Sequence, residues 1–389
     1  MTFIEQLLNG ENVEWKKLGE VCSLTRGKRL TKRDLDINGI YPVYHGGIEP
    51  IGYYNKFNRK ANSTMIINVG ASAGTVGYSA NDFWSSDGCF CFSHNGQLNQ
   101  RYLYYSLQNI ETFIKSKVRK AGIPTLDNKV LENIKIPLPP LSVQHRIVEI
   151  LDKFTALEAE LEAELDCRKR QYEYYRNQLL SFDMLNRGGQ RLNDVKIMTL
   201  GEIGEIRMCK RILKGQTSTC GDVPFYKIGT FGKTPNAFIS KKLFTEYKIK
   251  YSYPKIGEVL ISASGTIGKT VIFDGQDAYF QDSNIVWIEN DESMALNKYL
   301  YYCYQVIKWK TAEGGTINRL YNDIIKKTRI PLPPLSVQRE IVEILDKFDT
   351  LTNSISEGLP KEIELRRKQY EYYRNQLLSF STVKEKYHG

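Results

Sequence analysis

Apolar and aromatic side chains recur along two stretches of this chain in steps of three and four, the spacing that turns one face of an α-helix toward a partner. In the first stretch, beyond the Pro-Pro pair at 139–140, they fall at Ile147, Ile150, Phe154, Leu157, Leu161, Leu165, Tyr172, Tyr175 and Leu179, with a phase shift between Leu161 and Leu165. Ser142 stands where an N-cap would, so the pattern predicts a helix over 143–181, a rod of roughly 60 Å at about 1.5 Å per residue. A rod of that length outreaches a single domain and has to pair with something. The second stretch supplies the partner, with Ile341, Ile344, Phe348, Leu351, Ile355, Tyr370, Tyr373 and Leu377 in the same phase. Gly358-Leu-Pro360 interrupts it, and because proline lacks an N–H and crowds the preceding turn, a break or kink is expected near 358–360 that the first helix lacks.

Elsewhere the pattern shortens. Residues 64–69, 88–93, 258–262, 270–273 and 285–288 read as strands ended by Gly, Asn and Asp turns, while 102–117 and 297–310 read as amphipathic helices. The fold class expected is α+β: twisted, mainly antiparallel sheets with helices, set against a long two-helix coiled coil.

An internal repeat organises these elements. Ile-Pro-Leu-Pro-Pro-Leu-Ser-Val-Gln at 136–144 returns unchanged at 330–338, an offset of 194 (330 − 136). Gln-Tyr-Glu-Tyr-Tyr-Arg-Asn-Gln-Leu-Leu-Ser-Phe at 171–182 returns at 369–380, an offset of 198 (369 − 171), so the second copy holds four extra residues. Fainter echoes lie upstream: Leu18-Gly-Glu20 with Leu200-Gly-Glu202, Pro42-Val-Tyr44 with Pro224-Phe-Tyr226, Gly74-Thr-Val-Gly77 with Gly265-Thr-Ile-Gly268, and Tyr102-Leu-Tyr-Tyr105 with Tyr299-Leu-Tyr-Tyr302. The division expected is a first domain at 1–141, a central long helix at 142–185, a basic, Gly-rich linker at 186–196, a second domain at 197–335, a C-terminal long helix at 336–382 and a tail at 383–389. Two domain-plus-helix units related by a pseudo-two-fold axis would lay the helices antiparallel with a domain at each end. Strong likeness in the helices and weak likeness in the domains implies one shared task for the former and two versions of another for the latter. Within the first helix, Leu-Glu-Ala-Glu occurs twice in tandem at 157–164, each copy about one helical turn.

Charge narrows the partners. Lys and Arg number 54 against 44 Asp and Glu, a net +10 with a pI near 9.0, which favours a polyanion such as nucleic acid or an anionic membrane face. No apolar run reaches about 18 residues, and the opening segment carries Glu5 where a signal peptide would carry bases; the reading is a soluble, cytoplasmic protein with no membrane partner. Seven scattered cysteines fit reduced thiols better than a disulfide framework. Cys89 and Cys91 share a strand face, but no second ligand pair accompanies them, so no metal is expected.

Basic loops with interleaved aromatics come at matching places. Arg26, Lys28, Arg29, Lys32 and Arg33 crowd one loop ahead of Tyr44 and His45; Lys210, Arg211 and Lys214 precede Tyr226 and Lys227 in the second half. Arginine can bond guanine in a bidentate fashion, and lysine or backbone amides can bond phosphate. Ser72 and Thr75 in the first half, and Ser264, Thr266 and Lys269 in the second, sit in small-residue turns that would let a backbone approach phosphate. The segment Ala263-Ser-Gly-Thr-Ile-Gly-Lys-Thr270 fits a lenient P-loop, yet a strand-like run follows where a helix should open. Glu246-Tyr-Lys248 resembles a nuclease tripeptide without a matching copy or framing aspartate. With four histidines and no cofactor loop or Asn-Pro-Pro-aromatic motif, catalysis by this chain is not expected.

Taken together, Trp15-Lys-Lys-Leu-Gly-Glu20 opening a domain, the Pro-Leu-Pro-Pro-Leu segment closing it, and a long helix ending in Gln-Tyr-Glu-Tyr-Tyr-Arg resemble the specificity subunits of type I restriction-modification systems, across essentially the whole chain. The resemblance implies two target-recognition domains reading the halves of a split, asymmetric site in double-stranded DNA. It implies a complex with two adenine methyltransferase subunits, to which motor-nuclease subunits can add, with S-adenosylmethionine bound by the methyltransferase and no cofactor on this chain. It further implies that the tandem tetrapeptides, with Leu157, Leu161 and Leu165, act as a spacer ruler, and that the helices, with Tyr172, Tyr175, Tyr370 and Tyr373, dock the partners. The rival reading is a coiled-coil scaffold with non-specific nucleic-acid binding.

Overall fold

The computed structural model describes residues 3–93, 95–182, 185, 195–310 and 319–380. Most of the expected linker and all of the expected tail at 383–389 lie outside the described residues. By contact, the described residues up to Glu162 together with those from Glu362 form one compact unit, and Ala163–Lys361 covers a second.

The first unit runs α1 (Phe3–Leu8), β1 (Glu14–Lys17), α2 (Leu18–Val21), β2 (Leu24–Arg26), β3 (Tyr41–Tyr44), β4 (Gly52–Tyr54), β5 (Ser63–Ile67), β6 (Val76–Ser79), β7 (Trp84–Ser85), β8 (Cys89–Phe92), α3 (Gln100–Asn109), α4 (Glu111–Ser116), α5 (Asn128–Glu132) and β9 (Lys135–Leu138), then enters α6 (Leu141–Leu179). Its main sheet is antiparallel in the order β2-β8-β5-β6, and a smaller sheet, β4-β3-β7, contains one parallel pair, β3 with β7. The apolar runs of β5 and β8 are buried on both faces, which is why they read as continuous hydrophobic stretches and not as alternating ones. Cys89 and Cys91 are buried there, and burial pushes the Cys89 thiol up to about 12. α3 covers the sheet with Tyr102, Leu103, Tyr105 and Leu107. The helix expected over 102–117 is divided at Ile110, which caps α3 and opens α4.

In the second unit the order is β10 (Lys196–Thr199), α7 (Leu200–Ile203), β11 (Glu205–Arg207), β12 (Val223–Tyr226), β13 (Phe238–Ile239), α8 (Lys241–Lys250), β14 (Val259–Ser262), β15 (Thr270–Ile272), β16 (Tyr279–Phe280), β17 (Ile285–Glu289), α9 (Asn297–Val306), α10 (Asn322–Lys327), β18 (Arg329–Leu332) and α11 (Leu335–Asn353); the chain then enters α12 (Gly358–Leu378), which from Glu362 on belongs to the first unit. The sheets β11-β17-β14-β15 and β13-β12-β16 repeat the first unit strand for strand, including the parallel pair β12 with β16. A repeat that is fragmentary in sequence is therefore complete in topology. The chief addition is α8, for which the connection between β4 and β5 has no counterpart.

Each domain grips the helix that leaves it through the duplicated segment. β1 pairs with β9, Trp15 opposite Pro137, and β10 pairs with β18, Ile197 opposite Pro331. The next residues start α6 and α11. No serine cap is used, contrary to the expectation for Ser142: the N–H groups of Val143 and Gln144 both donate to the Pro140 carbonyl, and Pro334 caps α11. Gln144 is fully buried; its Nε2 donates to the carbonyls of Gln97 (3.0 Å) and Pro139 (2.8 Å), and its Oε1 accepts from the Asn99 N–H (2.9 Å). Gln338 repeats this with Met294, Pro333 and Leu296. The Tyr-Leu-Tyr-Tyr echoes serve the same joint. Tyr102 and Tyr299 donate to the carbonyls of Pro137 (2.9 Å) and Pro331 (2.8 Å), while Tyr105 and Tyr302 donate to Asp152 and Asp346 on the emerging helices.

α6 is continuous over 39 residues, those to Glu162 belonging to the first unit and those from Ala163 to the second. In the first unit it meets α12 antiparallel: Phe154 stacks on Tyr373 (5.2 Å), and Arg367 reaches both Glu158 and Glu162 at 2.5 Å. In the second unit Tyr172 and Tyr175 stack on Phe348 of α11. The expected interruption of the C-terminal helix exists but is displaced. Helix α11 ends at Asn353, residues 354–357 are non-helical, and Pro360 lies in the first turn of α12, where a missing N–H costs nothing.

Replacing Gln144 by alanine strands an N–H and two carbonyls at the root of α6. At about 1–3 kcal/mol for an unsatisfied buried group, the variant should unfold in urea with a loss of about 2–4 kcal/mol; a loss under about 0.5 kcal/mol would remove this joint from the stability of the chain.

Candidate nucleic-acid interface

In the second domain, β11 and β12 are joined by a loop that tightens into a 3-10 turn at Lys214–Gln216. β12 then delivers Tyr226 and Lys227 beside β16, where the Gln281 N–H donates to the Tyr226 carbonyl and the Gln281 Oε1 accepts from the Ile228 N–H (2.9 Å). Arg211, Lys214, Lys227 and Arg319 converge on one cleft of about 390 Å³, with Gln281, Asn284 and the single carboxylate of Asp282. Arg319 is positioned by donating to the Ser283 hydroxyl (2.7 Å) and by its bridge to Ser264. Four cations facing one acid form a site for a polyanion, and guanidinium and amide groups among them can bond base edges.

The first domain builds the matching site on the same frame. Arg26 ends β2 and donates from Nε to the Asp87 carbonyl (2.6 Å). Gly27 follows, and any side chain there would collide with the Ser86 carbonyl oxygen, 2.1 Å from the Cβ position. This close approach lets the Lys28 N–H bond the Ser85 carbonyl (3.0 Å), while Trp84 donates to the Lys28 carbonyl (2.8 Å). The backbone being fixed, the side chains of Arg26, Lys28, Arg29, Lys32 and Arg33 stay exposed. The last two ride a 3-10 turn at Lys32–Asp34, whose first residue neighbours Thr31; hydrogen bonds from Thr31 hold the Asp34 carboxyl below its ordinary range. Tyr44 is half-buried against Phe83, and His45 lies 3.3 Å from Asp87. One offset, 182, links Lys28 with Lys210 (210 − 28), Arg29 with Arg211, Lys32 with Lys214, Tyr44 with Tyr226 and His45 with Lys227. Both 3-10 turns fall at that offset, as do the strands β3 and β12, each paired in parallel with a later strand, β7 and β16 respectively, so the correspondence is structural as well as sequential.

Other expected positions serve different ends. Ser72 and Thr75 form the turn between β5 and β6, both half-buried, and their counterparts lie between β14 and β15. Ser264 is buried and spends its hydroxyl on Asn284 (2.8 Å), whereas Thr266 is exposed. Lys269 is half-buried and its Nζ is engaged: it donates to the Phe231 carbonyl (2.6 Å), tying down a neighbouring loop. It precedes strand β15 and opens no helix, which is incompatible with a P-loop. Among the tyrosines expected to dock partners, Tyr172 and Tyr370 are buried within their own units, Tyr370 donating to Gln108 (2.8 Å); Tyr373 is half-buried and Tyr175 exposed. The repeat instead presents Tyr174 and Tyr372, 60% and 59% exposed. Leu157 is exposed and Leu161 and Leu165 half-buried along α6. Arg319, Gln281 and Asn284 escaped the sequence reading because none lies in a charged run; Arg319 reaches the cleft because the adjoining Leu320 N–H bonds Ala263. Among the described residues no helix is long and apolar enough to cross a membrane.

Comparison with known proteins converges on one family. A family model described as the type I restriction modification DNA specificity domain matches twice, at residues 10–166 and 193–365. The Haemophilus influenzae protein named "Putative type I restriction enzyme specificity subunit S.HindORF215P" is 50% identical, covering 98% of this chain and 99% of its own. The EcoR124I/EcoR124II specificity subunit of Escherichia coli is 32% identical over 98% of this chain and 97% of its own. Among solved structures, the type I restriction-modification S subunit of M. genitalium aligns with a TM-score of 0.61 at 19% identity, over 96% of this chain and 98% of that one. Two family domains on one chain, each with the same strand order and the same cationic loop, make this protein a member of the type I restriction-modification DNA specificity family.

Proposed function

We propose that the chain reads a split, asymmetric target in double-stranded DNA, one half with each domain, and docks two adenine methyltransferase subunits to which motor-nuclease subunits add. The observation that carries this reading is the recurrence, at one offset and on one backbone frame, of the cations Lys28, Arg29 and Lys32 with Lys210, Arg211 and Lys214. The surrounding side chains differ, Gln281 and Arg319 on one side against Ser86 and Thr125 on the other, as two readers of different half-sites require. The chain itself acts without catalysis, and S-adenosylmethionine belongs to the methyltransferase. α6 fixes the separation of the two half-sites, because a continuous helix transmits length where a flexible linker would blur it. Tyr174 and Tyr175 in the second unit, and Tyr372 in the first, are exposed aromatics suited to partner docking.

Mapping methylated adenines in cells that co-express the chain with its methyltransferase tests the reading. Replacing Arg211, Lys227 and Arg319 by alanine should relax one half of the motif and weaken methylation at least about tenfold while leaving the other half unchanged, since each base contact is worth about 1–3 kcal/mol. Equal loss at both halves would count against separate readers. Deleting residues 161–164 removes one tetrapeptide, about 6 Å of helix, and should shorten the spacer by about two base pairs with both half-sites intact. A changed half-site with an unchanged spacer would refute the ruler.

A further inference from the structure

The connection between β4 and β5, residues 55–62, reads Asn-Lys-Phe-Asn-Arg-Lys-Ala-Asn, and no role assigned above accounts for its charge. It is fastened to the frame that carries the 26–33 loop. Asn58 donates to the Ser85 carbonyl (2.9 Å) and accepts from the Ser85 N–H (2.7 Å). Arg59 donates to the carbonyls of Asn58 (3.1 Å) and Arg26 (3.2 Å), and Tyr54 packs edge-on against Trp84, the residue bonded to Lys28. Arg26 and Arg59 are thus both held by backbone carbonyls; among the described residues neither forms an ion pair with a carboxylate. Fixed cations side by side without counter-charge repel one another, and a bound anion relieves that cost. Beyond them Lys56, Phe57 and Lys60 are exposed, Lys60 lying 4.6 Å over the Phe57 ring and 3.7 Å from Asp82.

The second domain puts the same connection in the same place by other means. Residues 240–258 there include α8 with Lys241, Lys242, Lys248 and Lys250, and Tyr251 just beyond it lies under Lys210, the counterpart of Lys28, at 5.2 Å. In both domains, then, this connection flanks the cationic loop and adds positive charge, although the two share no local structure.

We propose that residues 55–60 are a second DNA-contacting element of the first domain, Lys56 and Lys60 seating on phosphates beside the bases read by the 26–33 loop. The proposal rests on the DNA-reading function argued above. Its test is the salt dependence of binding by the full chain to a mixed-sequence DNA duplex, followed by fluorescence anisotropy. Each phosphate contact contributes about 0.9 to the slope of log K against log salt, so the double variant Lys56→Gln, Lys60→Gln should lower the slope by about 2. Lys129→Gln with Lys135→Gln removes two exposed lysines at the β9 end of the same domain and should leave the slope unchanged. An unaltered slope in the first variant, or an equal fall in the second, overturns the proposal. The triple variant of Arg26, Lys28 and Arg29 to alanine separates the two failures: if it flattens the slope and the Lys56, Lys60 pair does not, only this inference falls; if neither does, the DNA-reading function falls with it.

Discussion

The structure depends on a buried amide at the root of each long helix. Gln144 and Gln338 have no exposure, and each satisfies two carbonyls and one N–H drawn from the domain and from the Pro-Pro segment that precedes the helix. Because leaving such groups unpaired is costly, the direction in which α6 and α11 leave their domains is strongly specified. The phenols of Tyr102 and Tyr299 on strand carbonyls, and of Tyr105 and Tyr302 on the helical aspartates, add fixed points at either side of the amide. The spacing role proposed for α6 needs a joint of this kind, since free rotation at the root would erase whatever length the helix encodes.

The duplicated sequence segments turn out to be the residues of this joint and of the helix packing, which explains their strict repetition. The loops that carry the cations repeat in position and in a few residues, Lys28 with Lys210, Arg29 with Arg211 and Lys32 with Lys214, and differ around them. Strand order, parallel pairing and the two 3-10 turns are held constant, and side chains are free to differ on that constant frame, His45 against Lys227 being one case. Constancy of the joint and variety of the loops are therefore two sides of one division of labour.

Much of this was legible from periodicity and self-comparison. The long helix, the strands at β5, β8, β14, β15 and β17, and the matched basic loops all announce themselves, because burial on two faces and repeated charge leave local traces. What sequence did not show are effects that arise only through space. Pro140 in place of Ser142 as the cap depends on the strand pairing before it. Lys269 looks available in a glycine-rich turn, yet the Phe231 carbonyl captures it; Tyr172 and Tyr370 share a motif with Tyr174 and Tyr372, but only helical phase separates the buried pair from the exposed one. Arg319 and the 55–60 segment lie far in sequence from the loops they adjoin, so no window could have gathered them.

The arginine that spans the tandem tetrapeptides has a consequence for how such a chain can change. Arg367 bonds Glu158 and Glu162, the second residue of each successive copy, so the facing helix recognises a motif that is identical under a shift of one turn. Exposed ion pairs of this kind contribute little to stability but discriminate between aligned and misaligned charges. Gain of another identical unit would present the guanidinium with carboxylates it already accommodates, requiring no matching substitution opposite. Variation in the number of units is thereby uncoupled from the chemistry of the helix that faces them, and length becomes a property that can drift by itself.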